Sequence, residues 1–507
     1  MNEKLIDFLK KYYGYDSFRL GQEDVIREIV SGRDSLSVMP TGAGKSLIFQ
    51  MSALMFDGIT LVISPLISLM RDQVYALKQN GIPAAFINSS LTAGQTAKAL
   101  DFARNGSYKI IYVAPERLQT NNFVDFAKNA DISLVAVDEA HCVSHWGQDF
   151  RPSYLTIKSF VNSLPKKPVV TAFTATATDI VKNDIAKLLA LNNPFILSTG
   201  FNRENLYFEV RHPRNKYIEL AAYLQENEGK SGIIYCATRK TVDELYCMLN
   251  KDGFSAARYH AGMAPNERSQ AQDDFVYDRV KVITATNAFG MGIDKSNVGF
   301  VIHYNMPKNM ESYYQEAGRA GRDGTPADCL LFFSGQDIVI NKFLINKTDD
   351  NSFLTDEEIK QAKMLDFKRL AQMEAYCKTT KCLRKYILDY FGDDEDVKCE
   401  NCGSCLGIRE PTELTAPALS KKALRKQTAA HKNVDGKLFE KLRALRKELA
   451  DKEKVPAFVI FSDATLFDIC AKLPQNEEEF LNVSGIGQVK LLKYGAAFLE
   501  AVKAYES

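Results

Sequence analysis

Short apolar, β-branched runs punctuate the first two-thirds of the chain, with longer amphipathic stretches between them. The first set is SLSVM (35–39), ITLVISP (59–65), KIIYVAP (109–115), SLVAVDEA (133–140) and PVVTAFTAT (168–176). After a break near Thr199–Asn205 come SGIIYC (231–236), KVITAT (281–286), GFVIHYN (299–305) and ADCLLFFS (327–334). Runs that are apolar throughout, rather than alternating, predict strands buried on both faces, which means parallel strands covered by helices. The restart predicts two such α/β domains, residues 1–202 and 203–337, with a cleft between them and ligands at the carboxyl ends of the strands. Beyond Ser334 the strand pattern stops. Residues 337–391 read as helices and lead into a cysteine cluster, so 338–408 is expected to be a separate helical module. A Pro-punctuated basic linker (409–434) and a small all-helical domain (435–507) complete the organisation.

Composition narrows this picture only in part. A length of 507 residues fits three to four domains of ~100–200 residues each. With 46% hydrophobic and 25% charged residues the chain has an ordinary globular composition. No apolar run approaches the ~20 residues needed to span a bilayer, so no membrane association and a cytoplasmic location (nucleoid-associated in a bacterium) are expected. A net charge of +1 excludes bulk attraction to polyanions but not local patches. One such patch runs from Lys421 to Glu448, where ten Lys/Arg stand against three Asp/Glu; a solvated face and a nucleic-acid tether both remain open. Of the ten cysteines, Cys142, Cys236, Cys247, Cys329 and Cys470 lie singly in apolar segments, which argues against an oxidising compartment.

Candidate chemistry begins at MPTGAGKS (39–46), which follows a strand run and opens a helical stretch. Amides of Gly42, Ala43, Gly44 and Lys45 at a helix N-terminus make a nest for phosphate oxygens, with Thr41 on its edge. Lys45 would reach the β/γ-phosphates of ATP and the Ser46 hydroxyl would hold Mg²⁺. Met39 stands where the strict phosphate-loop pattern asks for glycine. VAVDEAH ends a later strand, so Asp138 would hold Mg²⁺ and Glu139 would polarise the attacking water. Hydrolysis also needs positive charge on the γ-phosphate, and QEAGRAGRDG (315–324) offers Arg319 and Arg322 from the second domain. A nucleotide hydrolase that closes its cleft on ATP is the expectation.

Near the C-terminal third, Cys382, Cys399, Cys402 and Cys405 are spaced C-x16-C-x2-C-x2-C. Four thiolates suit tetrahedral Zn²⁺, and with no catalytic acid nearby the site reads as structural. Cys377 is expected to be packing.

Taken together the motifs resemble superfamily 2 helicases and, within them, the RecQ family, over nearly the whole length. GYDSFRLGQ resembles that family's adenine-recognition motif, which implies that Tyr15 and Arg19 sandwich the base while Gln22 reads its edge. SPLISLMRDQV, APERL, FTATAT, GIIYCATRKTVDEL and ATNAFGMGIDK resemble the intervening helicase motifs in family order. The resemblance implies two tandem RecA-like domains, then the zinc-binding module and an HRDC domain. It makes Arg322 the arginine finger, with Arg319 beside it, Gln315 contacting nucleotide or water, and Thr174 and Thr176 coupling the ATP and DNA sites. It further implies ATP-driven 3′→5′ DNA unwinding in recombination and repair, stimulated by single strands. The implied substrates are single-stranded and tailed or forked duplex DNA, with single-strand-binding protein and recombination factors as further expected partners.

Two departures qualify the resemblance. VDEAHCVSHWGQDFRP (137–152) follows the acidic pair with the only tryptophan of the chain. Trp146, Phe150 and Arg151 are suited to bases and phosphates of a single strand, and in the RecQ family this loop senses DNA. Here, however, Gln148 replaces the family's usual histidine. Between Cys405 and the C-terminal helices only about thirty residues remain, too few for the winged-helix domain usual in the family. In the C-terminal domain SGIGQVKLLKYG (484–495) has two readings: amides of Gly485–Gly487 with Lys490 and Lys493 at phosphate, or a helix turn with surface lysines. An RNA helicase, and an ATP-controlled DNA-binding or annealing factor that hardly unwinds, are the alternatives carried forward.

Overall fold

The computed structural model describes residues 2–147, 149–289, 295–347, 356–393, 399–408 and 436–506. Gln148, most of the glycine-rich part of ATNAFGMGIDK and the basic linker therefore lie outside the described residues.

Two all-parallel sheets dominate. The first contains β1 (Ser35–Val38), β2 (Ile59–Ile63), β3 (Ala84–Ile87), β4 (Ile110–Val113), β5 (Ile132–Val137), β6 (Val169–Thr174) and β7 (Phe195–Ser198), in the order β3-β4-β2-β5-β6-β1-β7. The second contains β8 (Leu206–Arg211), β9 (Ser231–Tyr235), β10 (Ala256–Tyr259), β11 (Val282–Ala285), β12 (Val298–His303) and β13 (Ala327–Phe332), in the order β10-β11-β9-β12-β13-β8. Burial on both faces is direct. In β5, Val135 and Val137 join one apolar cluster while Leu134 and Ala136 join the other. The fold class is thus the expected one: two tandem RecA-like parallel-sheet domains, then helices.

All nine expected runs are strands, and the four strands that were not expected are the four sheet edges, β3, β7, β8 and β10. An edge strand is covered on fewer sides and tolerates polar residues, which weakens the run in β7, β8 and β10, whereas β3 is apolar but only four residues long. Thus β7 alternates half-buried and exposed positions. In β8 the ion pair Arg211–Glu209 (2.8 Å) interrupts the pattern.

The edge at β8 is covered by the cysteine module. Its helices Asp356–Lys378 and Leu383–Tyr390 pack on the second domain, and Cys402 bridges Phe208 in parallel, with the Gly403 amide on the Phe208 carbonyl at 2.8 Å. Cys377 is fully buried among Tyr376, Leu383 and Tyr313, a packing residue as expected.

The C-terminal helices (436–506) enclose their own core around Leu442, Phe461, Ile469, Phe480 and Phe498. This domain docks on both RecA-like domains. Gly485 donates to the Gly14 carbonyl (3.0 Å), Lys493 and Tyr494 reach Gln79 (2.7 and 3.1 Å), and Tyr277 of the second domain donates to the Lys454 carbonyl (3.1 Å). Among the described residues no helix is long and apolar enough to cross a membrane.

Candidate nucleotide site, aromatic loop and metal centre

The phosphate loop leaves the carboxyl end of β1, and the acidic pair leaves β5, with only β6 between these strands. Gly42 (φ +88°) and Gly44 (φ +84°) occupy left-handed backbone that a side chain would strain. A Cβ on Gly44 would sit 2.5 Å from Gln22 Nε2. The helix Lys45–Met55 starts directly after Gly44, so the amides of Lys45 and Ser46 have no preceding turn to satisfy them. The Ala43 amide is instead spent on the Pro40 carbonyl (3.1 Å), which removes it from the expected nest. Lys45 Nζ donates to the carbonyls of Met39 (2.9 Å) and Pro40 (3.4 Å). Burial lowers the Lys45 pKa, and the nearby Glu139 and Asp138 oppose that shift.

Asp138 is buried, its main chain pinned by Tyr154, whose hydroxyl donates to the Asp138 carbonyl (2.8 Å). Glu139 adopts a left-handed φ of 48° and turns its carboxylate toward His141, with Oε2 3.4 Å from Nδ1. The same nitrogen lies 2.9 Å from Thr174 Oγ1, and Thr174 in turn donates to the Thr176 carbonyl (3.1 Å). Burial lowers the His141 pKa against the pull of Glu139 and Asp149, which favours the neutral ring. The FTATAT stretch is therefore hydrogen-bonded to His141, whose ring also lies against the Glu139 carboxylate. That residue was not among the expected site residues, although it closes the quoted DEAH stretch and its position was legible.

Of the three residues expected at the base, Tyr15 is 40% exposed and presents its ring. The other two clasp the phosphate loop. Arg19 Nη1 donates to the Gly42 carbonyl (2.6 Å), and Gln22 Nε2 donates to the carbonyls of Ala43 (2.9 Å) and Gly44 (3.3 Å). Gln22 Oε1 accepts from the Arg19 amide (2.9 Å). Reading a base edge thus requires Gln22 to exchange bonds it makes to the loop.

From the second domain, Gln315 lies on the helix Met310–Ala317 and Arg319 and Arg322 follow it. Their positions differ. Arg319 is buried against Tyr235, whereas the charge of Arg322 acts on Lys45 across the cleft. Thr41 and Gly318 mark how narrow the cleft is, since a Cβ on Gly318 would lie 3.2 Å from Thr41 Cβ.

The aromatic loop is half-buried and held from both ends. A Cβ on Gly147 would meet the His141 carbonyl at 2.3 Å, so the loop lies directly on the residue whose ring approaches Glu139. The Trp146 ring packs against the core edge, and its carbonyl accepts from Arg369 (2.7 Å) of the helix Asp356–Lys378. Phe150 packs at a tilt on His145 (3.9 Å between centroids), and Arg151 pairs with Asp149 (3.1 Å) and donates to the Pro65 carbonyl (3.2 Å). The effect of Gln148 lies outside the described residues. Arg369 was not anticipated, and nothing in a helical stretch with several basic residues singles it out.

Cys382, Cys399, Cys402 and Cys405 bring their sulfurs within 4.8 Å of one another. Hydrogen bonding from Cys399, with amides of Cys405 and Leu383, outweighs burial and pushes the Cys402 thiol down to about 4. Burial and the neighbouring sulfurs push Cys405 up to about 12. Four thiolates this close repel, and a divalent cation among them removes the conflict, so the donor set fits Zn²⁺.

The glycine-rich turn of the C-terminal domain does not make the open phosphate nest that was one of its two readings. The Gly485 amide is spent on Gly14, Lys493 pairs with Glu453 (2.6 Å), and Lys490 is half-buried over the Phe461 ring.

Comparison with known proteins agrees with this arrangement. Residues 19–183 match the DEAD/DEAH box helicase family, 215–324 the helicase conserved C-terminal domain, 335–406 the RecQ zinc-binding domain and 435–502 the HRDC domain. The chain is 40% identical to the ATP-dependent DNA helicase RecQ of Bacillus subtilis, covering 98% of each chain, and 35% identical to that of Haemophilus influenzae, covering 99% and 96%. The first alignment spans 587 positions, more than the 507 residues of this chain, so that relative carries residues absent here. Among solved structures, Mss116p bound to single-stranded RNA and AMP-PNP shares the fold at 18% identity (TM-score 0.55, covering 74% of this chain and 83% of that one). Mycobacterium smegmatis helicase Lhr does so at 19% (TM-score 0.54, 67% and 49%). With this order of domains, this cleft and this identity over nearly its full length, the chain belongs to the RecQ family of ATP-dependent DNA helicases.

Proposed function

We propose that the protein translocates 3′→5′ on single-stranded DNA and unwinds tailed or forked duplexes in recombination and repair, with ATP hydrolysis stimulated by the single strand. The observation that carries the coupling is the continuous path from the Trp146 loop through Gly147 and His141 to Glu139 and Thr174. In this reading Lys45, Ser46 and the loop amides hold the triphosphate, while Ser46 and Asp138 would hold Mg²⁺, which neutralises phosphate charge. Glu139 takes a proton from the attacking water; His141, kept neutral, fixes its carboxylate. Arg322 meets the γ-phosphate from the second domain, and Arg319, buried against Tyr235, positions the turn that carries it. Gln315 contacts the nucleotide or the water. Tyr15 and Arg19 flank the base. Trp146, Phe150 and Arg151 receive the single strand, and a shift of their loop moves His141 and with it Glu139. The zinc would be held by Cys382, Cys399, Cys402 and Cys405 and would serve structure. Single-strand-binding protein and recombination factors are the expected protein partners.

One observation favours a second reading, in which hydrolysis drives binding or annealing rather than efficient strand separation. The segment between Ile408 and Gly436 is too short to form a winged helix. Strand displacement and ATPase stimulation on matched 3′- and 5′-tailed DNA duplexes, with a 3′-tailed RNA control, separate these readings. Displacement from the 3′ tail alone supports the first. Stimulation without displacement selects the second, and stimulation by RNA alone overturns both.

A further inference from the structure

The crossing between the two sheets, Thr199–Asn205, carries an arginine to which the nucleotide chemistry above gives no part. Arg203 places its guanidinium between the domains. Nη1 donates to the Thr41 carbonyl of the phosphate loop (2.5 Å) and to that of Gly318 (3.4 Å), and Nη2 donates to the carbonyls of Ala320 (3.1 Å) and Gly321 (2.8 Å). Nε is held by Asn205 Oδ1 (3.2 Å). Three of these four carbonyls belong to the turn that bears Arg319 and Arg322; the fourth belongs to the loop that bears Lys45.

The fit is close on both sides. A Cβ on Gly42 would sit 2.9 Å from Arg203 Nη1, so the glycine admits the guanidinium as well as a phosphate. Asn205 Nδ2 closes the far side of the turn by donating to the carbonyls of Gly321 and Thr325 (2.9 Å each). No carboxylate neutralises Arg203 in these contacts. Burial lowers its pKa, and the charges of Arg322 and Arg19 add to that. With Lys45, these side chains form a cationic cluster whose natural counter-charge is a triphosphate.

Behind the cleft the same residue is held by the cysteine module. Arg384, almost fully buried, donates through Nη1 to the Arg203 carbonyl (2.5 Å) and through Nη2 to the Leu206 carbonyl (2.5 Å), while its Nε faces Cys399 Sγ at 3.3 Å. Asp393 accepts from the Phe201 amide (2.7 Å), and Phe391 stacks on Phe201 (4.5 Å, 17°). The crossing segment is therefore fixed to the zinc module, while the Arg203 side chain reaches forward into the cleft.

We infer that Arg203 is a positioning residue for hydrolysis: it ties the Arg322 turn to the phosphate-loop main chain and so sets how far Arg322 reaches toward the γ-phosphate. Arg384 makes the zinc module the fixed support of that tie. A guanidinium suits the task because its planar fork satisfies carbonyls in two directions at once; an ammonium at the same place satisfies one direction and leaves the other. The inference rests on Arg322 acting as the finger.

The test compares Arg203→Met, Arg203→Lys, Arg322→Ala and the double variant Arg203→Met/Arg322→Ala in DNA-stimulated ATPase assays of the full chain, with zinc content and melting temperature measured for each. Misplacing a transition-state group by about 1 Å lowers turnover about 100-fold. Both Arg203 variants are expected to lose kcat on that scale with KM for ATP changed less than about 3-fold. The double variant is expected to be no slower than Arg322→Ala. Zinc content is expected to stay at the wild-type value. A rise in KM at unchanged kcat, a fully active Arg203→Lys, or multiplicative losses in the double variant would overturn the inference. So would a kcat loss that follows zinc loss or unfolding. If Arg322→Ala itself turns over normally, the finger assignment fails first, and that outcome is distinct from all of these.

Discussion

Two glycine-bearing turns in this chain, TGAGKS (41–46) and SGIG (484–487), look alike as phosphate nests, and the protein uses them in opposite ways. In the first, positive-φ glycines bring the main chain to the mouth of a cleft, the amides of Lys45 and Ser46 begin a helix, and Lys45 lies close to Asp138 and Glu139. In the second, Gly485 donates to Gly14 of the first domain, and a Cβ on Gly487 would meet the Lys11 carbonyl at 2.8 Å. Gly14 is reciprocal: its φ is +70°, and a Cβ there would meet Ile486 main chain at 2.2 Å. One set of glycines lies at the cleft and the other admits a neighbouring domain. The glycines alone do not tell these apart. What differs is where the lysine finds its counter-charge: Lys45 sits near the two acids Asp138 and Glu139 at the cleft, while Lys493 is paired with Glu453.

The largest effect that sharpens the contrast is at Lys45. Lys45→Ala removes the side chain proposed to reach the β/γ-phosphates, and ATP turnover is expected to fall about 1000-fold or more, with zinc content, melting temperature and single-strand affinity kept. Lys493→Ala, the same change at the other turn, is expected to leave basal turnover within about 2-fold. Steady-state ATPase assays on both variants check the pair; comparable losses would erase the distinction.

A third loop stands between the two cases, since Trp146 is half-buried yet lies on the path to Glu139. Trp146→Ala removes a stacking surface worth ~1–3 kcal/mol per base. Single-strand stimulation of the ATPase is expected to disappear and strand affinity to fall about 10-fold, while basal hydrolysis remains. Loss of basal hydrolysis together with a lower melting temperature would make the ring a packing residue like Cys377.

Next in size is the docking itself. Gly487 has φ −89°, which alanine adopts without strain, so Gly487→Ala leaves the C-terminal domain folded and presses a methyl group into Lys11 and Tyr12 main chain. Overpacking against backbone costs about 1–3 kcal/mol. The C-terminal domain is expected to separate, seen as a larger radius of gyration in small-angle scattering and faster proteolysis near residue 409–435. An unchanged radius would mean that the two glycines do not define this interface.

How much of this was legible in the sequence depends on how many sides of a segment are covered. Central strands such as β5 and β12 are apolar on both faces and announce themselves. The edges β3, β7, β8 and β10 did not: β7, β8 and β10 carry polar residues such as Ser198, Glu209 and Arg258, and β3 is only the four residues Ala84–Ile87. The site divides in the same way. Cys399, Cys402 and Cys405 stand in tight local spacing, and the cluster they form with Cys382 was readable. Arg203, Arg369 and Arg384 act through carbonyls far away in the chain, and a carbonyl leaves no mark on a sequence. Gln22 shows the same limit, since its bonds to the Ala43 and Gly44 carbonyls belong to the loop's geometry.

The smallest effect concerns Lys490, on the turn that packs rather than binds. Burial pushes its pKa down to about 8 from the ordinary 10.5. Between those values the unfolded chain holds a proton that the folded chain lacks, so this residue's penalty is full below pH 8 and fades as pH rises toward 10.5. The residue is only half-buried, so solvent screening reduces the penalty below what the shift alone implies. Lys490→Met keeps the contact with the Phe461 ring and removes the charge. Its melting temperature is expected to exceed that of the parent at pH 7.5, with the gap closing by pH 10. A gap that widens with pH would mean that the ammonium is stabilised where it lies. An anion held at the second turn would do this, and the contrast between the two glycine turns would then be one of degree.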